Sequence, residues 1–187
     1  PALHGREGVL GMMNHQSVLD IPLVVAAVHD ANARLVTRKR YLRWIPLISH
    51  MIRLYQYPVV DPRANTEETQ RMLASLRESA RTFDGPMAIF PEGTRTKDGE
   101  IGRFRTRGLK VILGQRPWTV YALVCDGFWK RAKLEHFFGN MSDIRGRLTL
   151  LGPFEWENPR ANPEPFMDAI RHHMVTALAE LRATSSP

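Results

Sequence analysis

Two clusters of residues in this chain carry side chains able to do chemistry. The first is Asn14-His15-Gln16-Ser17-Val18-Leu19-Asp20, directly after the apolar run Val9-Leu10-Gly11-Met12-Met13. A histidine leaving a short buried strand, with an aspartate five residues on, makes a base and its orienter if the chain turns between them. Asp20 then accepts a hydrogen bond from one ring nitrogen and fixes the tautomer, so that the other nitrogen can take a proton from a hydroxyl. Five residues along a straight helix put side chains on different faces, so His15 has to stand ahead of the helix. Pro22 agrees: proline is tolerated in the first turn, where no amide is needed, which argues against a helix starting as early as Ser17. The plainer alternative is an Asp20 that caps a helix and a His15 that merely ends a strand.

The second cluster is Phe90-Pro91-Glu92-Gly93-Thr94-Arg95. Met87-Ala88-Ile89-Phe90 reads as a buried strand that Pro91 ends, and Gly93 frees the backbone to turn with its amides pointing one way. Such a turn can hold an anion, and Arg95 adds a planar fork suited to phosphate oxygens. Glu92 is a candidate acceptor for a substrate hydroxyl. The bland alternative is a surface pairing of Glu92 with Arg95.

Together, Asn14-His15-Gln16-Ser17-x-x-Asp20 and Phe90-Pro91-Glu92-Gly93-Thr94-Arg95 resemble the glycerolipid acyltransferases, in particular the lysophosphatidic acid acyltransferases that make phosphatidic acid. Lys39-x-x-Leu42-x-x-x-Pro46 is similar to that family's second block, and the likeness spans most of residues 9 to 125. It implies a general-base mechanism. His15 deprotonates the free hydroxyl of a lysophospholipid, the oxygen attacks an acyl thioester, and coenzyme A or acyl carrier protein leaves; no enzyme nucleophile and no bound cofactor are needed. It also implies that Glu92, Gly93, Thr94, Arg95, Lys39 and Arg63 bind substrate. The chain departs from the family pattern at Ser49, where glycine is usual, at Asp61-Pro62-Arg63, which is one residue out of step, and at Tyr121, where proline is common. A different acceptor, such as glycerol 3-phosphate or a lyso-aminolipid, and a catalytically silent lipid-binding module remain the competing expectations.

Other chemistry is poorly supported. Ser17 has no Gly-x-Ser-x-Gly elbow around it, and Cys125 lies in an apolar run that suggests an inert thiol. His172 and His173 are adjacent on an expected helix and diverge, so they make no metal pair and no metal is expected.

Both clusters need strands behind them and helices to cover those strands. Helices are expected over Leu23 to Val28, Tyr41 to Arg53, Arg105 to Leu113 and the closing Phe166-Ile170-Met174-Leu178-Leu181 pattern. Asn65 with Glu68 makes a capping box for a further helix carrying Met72, Leu73, Leu76, Ala80 and Phe83. Strands are expected at Arg34 to Thr37, Tyr57 to Val60, Met87 onward, Thr119 to Val124 and Arg147 to Leu151. This alternation predicts an α/β fold: one domain, residues 1–187, with a largely parallel central sheet flanked by helices. Open sheets of this kind bind ligands at the carboxyl ends of their strands, where both clusters fall.

The chain has 26 Lys and Arg against 19 Asp and Glu, a net charge of +7 that favours anionic partners. Arg103, Arg105, Arg107 and Lys110 can attract coenzyme A phosphates, an acidic carrier protein or anionic lipid. No recognition helix or aromatic ribonucleoprotein strand accompanies the charge, so nucleic acid is not an expected partner. The single cysteine fits a reducing compartment. No run approaches the roughly 18–20 apolar residues of a membrane span. Peripheral contact with an anionic membrane, at the cytoplasmic face, is therefore expected, with Tyr41 to Tyr55 either on the lipid surface or in the core. A start at Pro1 leaves room for an N-terminal membrane-anchoring segment ahead of it.

Overall fold

The computed structural model describes residues 8–17, 20–27, 33–39, 46–54, 57–61, 64–129 and 146–184. In chain order these form β1 (Val9–Met13), α1 (Asp20–Ala27), β2 (Arg34–Leu35), β3 (Thr37–Arg38), α2 (Pro46–Leu54), β4 (Val59–Val60) and α3 (Thr66–Thr82). There follow β5 (Met87–Ile89), α4 (Thr106–Leu113), β6 (Trp118–Asp126), β7 (Arg147–Trp156) and α5 (Glu164–Ala183).

Five strands make the main sheet in the order β2-β5-β1-β6-β7. β1 lies parallel between β5 and β6, β2 pairs parallel with β5, and the edge strand β7 runs antiparallel to β6. The largely parallel sheet flanked by helices is therefore present. Its strands alternate between two apolar layers, as a sheet buried on both faces requires. Leu10 and Met12 of β1 with Trp118, Val120, Ala122 and Val124 of β6 pack beneath α3, α4 and α5, through Leu76, Leu109, Ile112 and Met174. Met13, Leu123 and Cys125 face the other way, against Ile21 and Val24 of α1 and Ile52 of α2.

Several boundaries differ from the periodic reading, each for a local reason. The expected strand at 34–37 divides: Val36 N–H still donates to Ala88 O at 2.9 Å, but Thr37 N–H donates to Pro58 O at 2.9 Å, and β3 joins β4 in a separate two-stranded sheet. α1 opens at Asp20 with Pro22 in its first turn. Only half of the capping box forms. Asn65 Oδ1 accepts Glu68 N–H at 2.8 Å, while the Glu68 carboxylate pairs with Lys39 instead of returning to Asn65. β7 continues past Gly152-Pro153 to Trp156, because an edge strand tolerates a proline that a central strand would not, and the register slips opposite Val120 and Ala122. Trp118 and Trp156 send their indole N–H groups to Ile112 O and Leu113 O, at 3.0 and 2.8 Å, satisfying carbonyls at the end of α4.

Candidate active site

β1 and β5 are parallel neighbours, with Met12 opposite Ile89, so the two clusters that follow them emerge side by side. Asn14 manages the exit from β1. Its side-chain amide donates to Cys125 O at 2.8 Å and accepts Cys125 N–H at 2.7 Å, replacing a backbone rung while the chain turns away from β6.

The turn that results brings Asp20 back onto the loop before it. One oxygen, Asp20 Oδ2, lies 2.8 Å from His15 Nδ1 and also accepts the N–H groups of Gln16 at 2.5 Å and Ser17 at 2.7 Å. The aspartate therefore both orients the imidazole and closes the loop that carries it, and it is fully buried. A carboxylate on Nδ1 favours the tautomer with its proton there, leaving Nε2 as the basic nitrogen. The His15 ring stacks on Phe90, with centroids 4.2 Å apart and planes 21° apart, which fixes its second rotational freedom.

The Glu92 turn holds the backbone of His15. Glu92 Oε1 accepts His15 N–H at 3.0 Å, and Thr96 N–H donates to His15 O at 2.7 Å, so both main-chain groups of the histidine are tied to the second cluster. Glu92 Oε2 accepts Gly102 N–H at 2.8 Å. The carboxylate offered by sequence to a substrate hydroxyl thus sits on two backbone amides, 4% exposed. Burial pushes its carboxyl above the usual range, partly offset by those two amides. Gly93 turns at φ +63, a conformation that side chains rarely adopt, so glycine is needed there.

His15 lines a cavity of about 460 Å³ of mixed character. Its lining includes the apolar Leu35, Val36, Val60, Met72, Leu73, Leu76 and Ile89 and the polar Arg38, Asp61, Thr94, Arg95, Arg105 and Arg107. Gly93, Thr94 and Arg95 are thereby brought to the histidine as expected. Lys39 is not. It points to Glu68 on α3 at the surface, and its neighbour Arg38 takes the cavity wall and donates to Gly93 O. β3 ends at Arg38, so the cluster Arg38-Lys39-Arg40 offers no strand periodicity from which to tell which cation faces inward. Arg63 lies outside the described residues, as do residues 41–45 of the expected basic helix. Cys125 is buried, and burial together with Asp20 and Asp126 pushes its thiol far up, so it is no nucleophile. Among the described residues no group of three or more His, Cys, Asp or Glu could hold a metal ion, and no helix is long and apolar enough to cross a membrane.

The model of the acyltransferase family matches residues 2–125, a stretch that contains both clusters and every residue lining the cavity. The chain belongs to the acyltransferase family. Similar proteins include the 1-acyl-sn-glycerol-3-phosphate acyltransferase of Helicobacter pylori, 32% identical over 103 residues that make up 54% of this chain and 41% of that one. The 1-acyl-sn-glycerol-3-phosphate acyltransferase alpha of Mus musculus is 26% identical over 170 residues, 90% of this chain and 58% of its own. The chloroplastic LPAT1 of Arabidopsis thaliana is 32% identical over 52% of this chain and 26% of its own length. This acyltransferase-family chain thus spans between 26% and 58% of those relatives. The crystal structure of PlsC from Thermotoga maritima, titled a 1-acyl-sn-glycerophosphate (LPA) acyltransferase, superposes with a TM-score of 0.73 at 20% identity, over 97% of this chain and 69% of that one, and shares the acyltransferase fold.

Proposed function

We propose that this protein transfers a fatty acyl group from a thioester to the free hydroxyl of lysophosphatidic acid, forming phosphatidic acid. The observation that carries the proposal is a histidine held through Nδ1 by a buried aspartate and lining a cavity that combines apolar side chains with arginines. A lysophospholipid needs both kinds of lining, and a hydroxyl needs a base. His15 Nε2 takes the hydroxyl proton as the oxygen attacks the thioester carbonyl; the C–O bond forms, the C–S bond breaks, and the proton passes to the departing thiolate. An activated thioester needs no acyl-enzyme stage. Asp20 favours the productive tautomer and stabilises the imidazolium that forms. Arg95, with Arg38 beside the Gly93 turn, takes the acceptor's phosphate as a charge-assisted fork. Glu92 acts by holding the histidine's backbone. Three relatives named for this reaction support the reading.

Acyl-CoA or acyl carrier protein serves as donor, no cofactor or metal takes part, and the basic surface makes peripheral contact with anionic lipid at the cytoplasmic face. Incubating the protein with acyl-CoA or acyl carrier protein donors and a panel of lysolipids, with product detection by mass spectrometry, tests the reaction. Phosphatidic acid formed from lysophosphatidic acid in preference to acceptors without phosphate is expected. Acylation of glycerol 3-phosphate or of a lyso-aminolipid instead would replace the acceptor; binding of lipid with no product from any donor would replace the enzyme by a lipid-binding module.

A further inference from the structure

The polar network around His15 extends past the stretch that the family model matches. Gln16 is fully buried, and its side chain leads to the opposite flank of β1 from the cavity. Gln16 Nε2 donates to Asp126 Oδ1 at 3.3 Å and to Gly99 O at 3.5 Å, while Oε1 accepts Phe128 N–H at 3.2 Å. Asp126, the last residue of β6, is gripped in turn by Arg182 from the final turn of α5, through Nε to Oδ2 at 3.2 Å and Nη2 to Oδ1 at 3.3 Å. The same guanidinium donates to Gly99 O at 2.8 Å and to the Glu100 carboxylate at 2.5 Å.

One planar fork therefore joins the C-terminal helix, the end of β6 and the loop after the Glu92 turn, a task a point charge cannot do in one geometry. The loop is shaped for it. Gly99 stands at φ +88, and a Cβ there would meet Trp129 Nε1 at 2.6 Å and Arg182 Nη2 at 2.9 Å. Burial pushes the Asp126 carboxyl up, but hydrogen bonds from Arg182 and Gln16 and the Arg182 charge outweigh it and hold the group below the usual carboxylate range. From Gln16 the path to the histidine is one residue long. Gln16 N–H donates to Asp20 Oδ2, the oxygen that receives His15 Nδ1.

We propose that Arg182 and Asp126 are positioning residues for His15: acting through Gln16, they hold the catalytic loop in the one arrangement in which Asp20 Oδ2 can serve the imidazole and two loop amides together. The role rests on the reading of His15 as the base. Both residues lie beyond residues 2–125, so the C-terminal helix contributes to catalysis and not only to the sheet's cover. Reaction rates are steep in such placement, with about 1 Å of displacement able to cost roughly a hundredfold.

Arg182→Ala, Arg182→Lys and Asp126→Asn, compared with wild type, test it by two independent measurements. In the thiol-release assay, Arg182→Ala and Asp126→Asn are expected to lower kcat by about tenfold to a hundredfold with KM for donor and acceptor within about twofold, and Arg182→Lys, which can keep one contact of the fork, to recover part of the loss. By NMR of histidine-labelled protein, solvent exchange of the His15 Nδ1 proton is expected to rise at least about tenfold in Arg182→Ala and Asp126→Asn. Unchanged kcat per folded molecule and unchanged exchange, with only a lower melting temperature, would overturn the proposal by making the network purely structural, and a raised acceptor KM at constant kcat would overturn it by placing the network in binding. Should Arg182→Ala fail to fold, the near-isosteric Asp126→Asn carries both measurements. A wild-type protein that released no thiol would sink the proposed reaction, yet the exchange experiment would still decide the positioning role.

Discussion

β1 has unlike neighbours on its two sides, and His15 stands where they meet. β5 delivers the Phe90 to Arg95 turn, and next to it β2 and β3 bring Leu35, Val36 and Arg38 to the cavity. β6 delivers Cys125 and Asp126, whose polar groups are taken up by Asn14, Gln16 and Arg182; among the described residues β6 contributes none to the cavity wall. One flank is thus a workplace, open and cationic, and the other a mount, closed by directional hydrogen bonds. The difference explains why Asn14 and Gln16 are polar yet at most 2% exposed: each spends its side-chain amide on β6 or the turn after it. Changes on the mount should reduce turnover, and changes on the workplace should alter substrate use.

The largest separation is expected between Asp20→Asn and the cavity arginines. Asp20→Asn keeps the shape but loses a carboxylate that accepts three hydrogen bonds, freeing the wrong tautomer, so kcat should fall by about 10²–10⁴ with little change in KM. A fall confined to KM would erase the distinction between the flanks. On the workplace side, Arg95→Ala and Arg38→Ala should each raise the acceptor KM by roughly tenfold or more, the loss of a charge-assisted hydrogen bond being about 1.5–3 kcal/mol, while donor hydrolysis is spared. Lys39→Ala, which removes a surface pairing with Glu68, should leave that KM within about twofold. Steady-state kinetics with phosphorylated and unphosphorylated acceptors separates these outcomes.

Glu92, which ties the two clusters together, is read through stability rather than turnover. Glu92→Gln can accept only one of the two backbone N–H groups and should lose about 1–3 kcal/mol in urea unfolding. Because burial raises the Glu92 carboxyl above its ordinary range, the folded protein binds that proton more tightly than the unfolded chain, and this group's contribution to stability falls as pH climbs through the raised value. The gap between wild type and Glu92→Gln is therefore expected to be wider near about pH 4 than near about pH 7.5. The opposite ordering would mean that the buried carboxylate is favoured in its charged form.

Much of the workplace was legible in the residues themselves. His15, Asp20 and the Phe90 to Arg95 turn were legible as a pair, through their joint resemblance to the glycerolipid acyltransferases, since either cluster alone also fits a helix cap or a surface pairing; strand alternation placed both at carboxyl ends of a parallel sheet. The mount was not legible, because its contacts with β6, the turn after it and α5 join residues 56 to 112 positions apart in sequence. Glu92 looks the same in sequence whether it faces a hydroxyl or two amides. Gln16 carries no charge or periodicity to mark it, and Arg182 sits on a helix where an arginine near the end is ordinary. Arg38 and Lys39 are distinguished only by which way a two-residue strand turns, and β7 was read as stopping at a Gly-Pro pair that an edge strand accommodates.

The measurement that bears most directly on the account is acceptor-dependent thiol release by wild type and His15→Ala, each verified as folded by its melting temperature. The account predicts release from an acyl thioester only when lysophosphatidic acid is present, lost by about 10²–10⁴ in His15→Ala while the fold is kept. Retention of that release by a folded His15→Ala protein would contradict it.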